Sequence, residues 1–257
     1  ATLVGDAKLI NEVCEKNGIE VSKFEIVDNP DELKAVAQAV QLVHDGEGDV
    51  LMKGLCSTDK FLRAILNKET GLLPPKGLLS HVGVIESPNY HKLIFLTDMA
   101  VVPLPDLRQK AKLTNYIVKV AKSFGIAKPK VAFIAASEQV LDSMPACLEA
   151  AALAKMADRG QIKGCIADGP LALDVAIDQE SVEIKKLSSP VAGDADCLVF
   201  PNIESANVFW KTNSKLATGV RQAGMLVGTT APCILASRAD SVDTKLNSIA
   251  EAVMSVL

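Results

Sequence analysis

The chain of 257 residues is 49% hydrophobic but only 4% aromatic, so its core must be built mostly from alanine, valine, leucine and isoleucine. With a mean hydropathy of +0.23, it fits an α/β protein with a buried parallel sheet, in one large or two modest domains. A net charge of −4, with no basic patch and no basic–aromatic interleaving, argues against a nucleic-acid partner. No apolar run has the roughly 20 residues that a membrane span needs.

The opening ATLVGDAKL has no signal-peptide pattern, and the cytoplasm is the expected compartment. Six scattered cysteines form no CxxC pair and read as small buried hydrophobes in a reducing environment. The three histidines have no metal-ligand spacing, so no metal site is expected.

Residues 2–5 are expected to form a short strand, and Asp6 caps a helix over 7–16 that Asn17-Gly18 stops. An earlier strand and helix are expected before this point. Residues 24–27 read as the next strand. Asp28-Asn29-Pro30-Asp31 then opens a helix to about His44, with Leu33, Val36, Ala37, Val40 and Val43 on one face. Residues 49–53 form a short buried strand, and the alternation predicts βαβ units on a parallel sheet.

At Lys53-Gly54-Leu55-Cys56-Ser57-Thr58-Asp59 a strand ends, a glycine permits a tight turn, and hydroxyls precede a helix over 59–67. Crevices at the carboxyl ends of parallel strands are where α/β proteins bind ligands. Arg63, one helical turn after Asp59, would face the same opening. The same residues also fit a plain N-cap with a solvated surface charge. Pro74-Pro75, between Gly71 and Gly77, marks the first domain boundary.

From residue 78 the texture changes. Apolar runs at 79–85 and 92–97 flank Ser87-Pro88-Asn89 and predict a hairpin or paired strands. A helix over 107–124, a strand over 130–136 and an alanine-rich helix over 144–159 follow. Next come a strand over 164–168, a helical turn over 171–177, a strand over 195–201 and a helix over 204–216. The loop Ser188-Ser189-Pro190-Val191-Ala192-Gly193-Asp194-Ala195-Asp196 is either an ordinary turn or a source of hydroxyl donors to a ligand.

The stretch GVRQAGMLVGTTAPCILASRADSVD (219–243) holds an apolar run broken by Pro232, then Ser237-Arg238 at the expected opening of the last helix. Helix N-termini favour anions, and arginine can grip a phosphate through two parallel hydrogen bonds. The alternative is that Ser237 only caps the helix.

Seven stretches, in order, resemble the phosphate acetyl/butyryltransferase family: LMKGLCSTDKFLRAIL (51–66), HVGVIESP (81–88), LIFLTD (93–98), PKVAFIAASE (129–138), LAKMADRGQIKGCIADGPLALDVAI (153–177), SPVAGDADCLVFPNIESANVFWK (189–211) and PCILASRADSVDTKLNSIA (232–250). They span most of the chain, and the loops DGPLALD and SPVAGDAD are closer to the butyryl branch. The resemblance implies reversible transfer, acyl-CoA plus phosphate giving acyl phosphate plus CoA. Both are substrates, and no cofactor is expected. It also implies two α/β domains with mostly parallel sheets and an interdomain cleft, isocitrate/isopropylmalate dehydrogenase-like, in a homodimer. The domains would be residues 1–79 plus 217–257, and residues 80–216.

By the same resemblance, Ser237 stabilises charge in the transition state and Arg238 holds phosphate or acyl phosphate. Arg63 is a second anion-binding arginine, and Ser57, Thr58, Ser189 and Gly228 contact substrate. The family's basic aspartate falls on Thr244 here, which leaves Asp243 or Asp240 as the base. Acetyl specificity, or a CoA- or acyl phosphate-binding homologue with little catalysis, are the alternatives. A dinucleotide-dependent enzyme is disfavoured because no GxGxxG opens a βα unit.

Overall fold

The computed structural model describes residues 1–237 and 240–256. Strand β1 (Thr2–Gly5), helix α1 (Ala7–Lys16) and strand β2 (Glu25–Asp28) open the chain, and β1 and β2 pair in parallel as a sheet of their own. Helix α2 (Glu32–His44), strand β3 (Leu51–Met52) and helix α3 (Thr58–Ile65) follow. The middle of the chain forms β4 (Ser80–Glu86), β5 (Ile94–Thr97), α4 (Leu107–Ser123), β6 (Lys130–Ile134), α5 (Pro145–Asp158), β7 (Ile166–Leu171), α6 (Leu173–Ile177), α7 (Gln179–Lys185), β8 (Cys197–Val199) and α8 (Ile203–Lys215). Strands β9 (Arg221–Val227) and β10 (Cys233–Ile234) and helix α9 (Val242–Met254) complete it.

Side chains just outside the helices explain where many of them start. Asp6, Asp31, Ser57, Asp178, Asn202 and Ser241 each accept a hydrogen bond from a backbone N–H of the first turn. Asp106 and Gln109 form a reciprocal capping box on α4, and Pro145 sits in the first turn of α5.

The main sheet runs β3-β10-β9-β4-β5-β8-β6-β7. Its flanks are parallel, while the pairs β10–β9, β9–β4 and β4–β5 are antiparallel. Strands from 1–79 plus 217–257 make up one end of the sheet and strands from 80–216 the other. They join at β4–β9, where seven residue pairs stay in register from Ser80↔Val227 to Glu86↔Arg221.

Apolar side chains pack on both faces. Phe95, Phe133 and Val199 meet Ile117 of α4 and Leu153 of α5, while Leu96 and Leu198 meet Val175 of α6 and Ala206 of α8. A third cluster joins Leu51 and Cys233 to Val40 of α2 and Phe61 of α3.

The elements can be set against the sequence expectations at three places. As expected, Pro232 breaks the 219–236 run, into β9 and a two-residue β10, because proline has no N–H to give to the ladder. The last helix starts at Val242 and is capped by Ser241, so Ser237 lies outside it. Helix α7 was not expected; it is a short helix capped by Asp178 with only Val182 buried, too little apolar periodicity to read in advance.

Candidate active site

Parallel pairing of β3 with β10, Leu51↔Cys233 and Met52↔Ile234, brings two loops out at the same edge. One is 53–58 and the other begins at Leu235. The register continues across β9 and β4, so Leu51, Cys233, Leu226 and His81 lie level on four neighbouring strands. Above this level opens a cleft of about 450 Å³. One wall carries Lys53, Cys56, Ser57, Thr58, Ser237 and Asp240; the other carries His81, Met99, Ala100, Asn207, Trp210 and Lys211. The cleft thus lies between the segment 1–79 plus 217–257 and the segment 80–216.

Gly224 lines the cleft. Gly83 and Gly224 face each other across β4 and β9. A Cβ on Gly83 would stand 2.6 Å from Met99 Cε and 2.7 Å from the Trp210 ring; one on Gly224 would stand 2.6 Å from His81 Cε1. Only side chains lacking at both positions allow these three groups to settle there. Gly224 N–H donates to Ser248 Oγ at 3.0 Å, which ties α9 to β9.

Lys53 is 4% exposed, and its Nζ donates to the carbonyls of Gly54 (3.1 Å) and Cys56 (3.0 Å). A cation is thereby set into the cleft wall, where it suits an anionic ligand. Ser57 caps α3 by accepting from Lys60 N–H, and Thr58 begins that helix. Ser237 N–H donates to Asp240 Oδ2 at 2.7 Å, and Asp240 N–H returns a bond to Ser237 carbonyl. These two bonds hold Ser237 and Asp240 together. Burial pushes the Cys56 thiol above its ordinary pKa despite nearby Lys53, so the sulfur stays protonated.

On the opposite wall Asp98 organises the turn after β5. Its carboxylate accepts from Ser80 Oγ (2.8 Å) and from the N–H groups of His81, Ala100, Val101 and Val102. His81 is 7% exposed, and its Nδ1 is sealed from solvent with no hydrogen-bond partner. Burial holds the ring below the usual histidine pKa, against the opposing pull of Asp98 and Asp240, so it is neutral. Asn207 Nδ2 donates to Met99 carbonyl and fixes α8 against this turn.

The family model for phosphate acetyl/butaryl transferase matches residues 2–253. The chain belongs to that family. It is 49% identical over 99% of its length to phosphate butyryltransferase of Clostridium acetobutylicum, spanning 84% of that protein. It is 40% identical over 98% of its length to phosphate acetyltransferase of Rhizobium meliloti, spanning 79% of that protein. The crystal structure of a branched-chain phosphotransacylase from Enterococcus faecalis V583 superposes with a TM-score of 0.87 at 28% identity, over 99% of this chain and 98% of that one.

Among the residues that the family resemblance singled out, Ser57, Thr58 and Ser237 meet in the cleft. Arg238 lies outside the described residues. Arg63 is in the last turn of α3, exposed, with its Nε donating to Asp59 at 3.1 Å, and it does not line the cleft. Asp243 is exposed on the first turn of α9, whereas Thr244 and Ser248 face the cleft. Adjacent helix positions are about 100° apart, so the two neighbours point in different directions. Of the two carboxylates considered as the base, Asp240 is the one in the cleft wall.

Ser189 stands apart, its Oγ accepting from the N–H groups of Val191 and Ala192. Gly228 lines a second cavity of about 520 Å³ beside Tyr116 and Lys112. Its φ of +90° and the 2.1 Å that a Cβ would leave to Leu78 carbonyl account for glycine there. Lys53, His81, Trp210 and Lys211 were not singled out from the sequence as site residues. HVGVIESP contains the histidine, but a lone histidine without metal-ligand spacing carries no signal of a site. Among the described residues no group of three or more His, Cys, Asp or Glu side chains is placed to hold a metal ion.

Proposed function

We propose that this chain transfers an acyl group between coenzyme A and phosphate, with a butyryl-length or branched short acyl chain preferred over acetyl. The observation that carries this reading is the 49% identity, over nearly the whole chain, to a phosphate butyryltransferase. The 40% identity to a phosphate acetyltransferase is lower over the same span. The cleft supports the reading chemically. Lys53 and Lys211 suit polyanionic substrates, and Met99, Trp210 and Leu235 offer an apolar wall to a short alkyl chain.

On this reading acyl-CoA and phosphate bind together, and the cleft replaces a bimolecular encounter by a fixed geometry. Ser237 hydroxyl donates to the oxyanion that forms at the acyl carbonyl, and Arg238 holds the phosphate. Arg63, Ser57, Thr58, Ser189 and Gly228 are kept as substrate-binding candidates from the family resemblance, with Ser57 and Thr58 best supported by their position. The substrates supply the acyl group, the thiol and the phosphate, and no resident cofactor or metal is expected. A homodimer working in the cytoplasm follows from the same resemblance; no described helix is long and apolar enough to cross a membrane.

Thiol release from acetyl-, butyryl- and isobutyryl-CoA, with and without phosphate, tests the function. Phosphate-dependent release, fastest with a four-carbon acyl group, is expected. A methylene in an apolar pocket discriminates by roughly 1–3 kcal/mol, so the preference should be about 10-fold or more. Release without phosphate would indicate a thioesterase, and fastest release from acetyl-CoA would indicate acetyl specificity.

A further inference from the structure

Acyl transfer to or from a thiol needs a group that takes and returns the sulfur's proton, and the expected aspartate position is Thr244. Asp98, buried behind the cleft, is spent on one hydroxyl and four backbone N–H groups. Asp240 accepts the Ser237 N–H. Cys56 is a thiol held protonated, and Asp243 is outside the cleft wall.

We propose that His81 is the general base and acid for the coenzyme A sulfur, acting through Nε2. This rests on the acyl-transfer reading above and names a residue for it. Three geometric observations converge. The ring lines the cleft, on a strand level with those that deliver Lys53 and Ser237. Its Nδ1 is sealed and unpartnered, which leaves Nε2 as the nitrogen to serve a ligand. And the ring lies over Gly224, with Nε2 3.2 Å from where a Cβ would be, so a residue without a side chain keeps its place open.

In the thioester-forming direction, the thiol proton passes to Nε2 as sulfur attacks the acyl phosphate carbonyl. The carbon–oxygen bond to phosphate then breaks, and phosphate leaves with the electron pair. In the reverse direction the imidazolium returns its proton to the departing thiolate. A buried neutral imidazole has its lone pair available, and the nearby carboxylates stabilise the cation formed during transfer. The charged groups around the ring are Asp98 at the end of β5 and Asp240 in the loop before α9, with Lys53 and Lys211 also on the cleft walls.

The test compares wild type with His81→Gln in both directions, using butyryl-CoA plus phosphate and butyryl phosphate plus CoA. Gln fills similar space and hydrogen-bonds but cannot take a proton. A kcat lower by about 10²-fold or more is expected, with KM values for both substrates within about threefold. The limb of the kcat–pH profile assigned to the base should vanish in the thioester-forming direction. His81→Asn, checked by thermal melting, repeats the comparison if Gln disturbs the fold. A folded variant with kcat within threefold of wild type and an unchanged pH limb would overturn the role of His81 alone. Absence of phosphate-dependent release in wild type would overturn the acyl-transfer reading, and this role with it.

Discussion

The imidazole of His81 rests on Gly224: a Cβ built there would stand 2.6 Å from Cε1 and 3.2 Å from Nε2. The two residues sit on adjacent antiparallel strands, offset by two along β9 because His81 pairs with Leu226. Neither strand position is unusual alone; together they leave a bare patch of sheet under a polar ring.

Gly224→Ala tests this contact. The added methyl must displace the ring or the strand, and overpacking of this kind costs about 1–3 kcal/mol. The expected result is a lowered melting temperature together with a fall in kcat larger than any change in KM. Steady-state kinetics and a thermal melt on the same preparation check it; full activity would show that the ring has room to shift harmlessly.

Ser237 donates its backbone N–H to Asp240, so Ser237→Ala removes the hydroxyl while leaving the turn intact. Loss of one donor to a developing oxyanion costs about 10²–10³ in kcat. The same loss with an unchanged melting temperature is expected here. Arg238→Ala, by contrast, should mainly raise KM for phosphate under the proposed role, because arginine can hold an anion through two parallel hydrogen bonds. Equal effects on kcat alone would point to a different anion site.

Asp194 binds three basic side chains at 2.8 Å each, from His91, Lys92 and Lys130. Burial alone would raise its pKa, but hydrogen bonds from Lys130, Lys92 and His91 outweigh that and hold it well below the usual carboxylate range. A folded pKa below the unfolded one of about 4 means that the stabilisation is full above pH 4 and is lost as pH falls toward the folded value. Asp194→Asn should therefore lower the melting temperature at pH 7, and the gap to wild type should narrow between pH 4 and pH 2. A gap independent of pH would show that packing, not charge, holds this loop.

Glu251 on α9 is 1% exposed, and neither carboxylate oxygen has a hydrogen-bond partner. Burial pushes its pKa well above the ordinary value. For an acid, a raised folded pKa destabilises the fold once pH passes the unfolded value of about 4.3, since only the unfolded chain then gains by ionising. Glu251→Gln should thus raise the melting temperature at pH 8 and change it little at pH 4. The opposite order would mean that the carboxylate is ionised and paired in the folded protein.

The sequence by itself determined the order of most elements and the chemistry of their ends. Asp6, Asp31, Asp106 and Ser57 announce helices because a side-chain oxygen next to free N–H groups acts locally. Ser57 and Thr58 were legible as cleft residues because they follow a short strand, and parallel strands open a crevice at their carboxyl ends, whereas Ser237 stood out through the family resemblance. Tertiary structure decided what these local signals cannot carry. The register β3-β10-β9-β4 fixes which loops share a cleft, and it pairs residues as far apart in the chain as Leu51 and Cys233. That register, not any motif, sets His81 over Gly224, while the packing of α9 and α8 on the sheet turns Thr244 rather than Asp243 toward the cleft and brings Trp210 against Gly83. The physical reason is that burial and side-chain direction depend on distant neighbours, whereas capping and turn formation depend only on the residues next door.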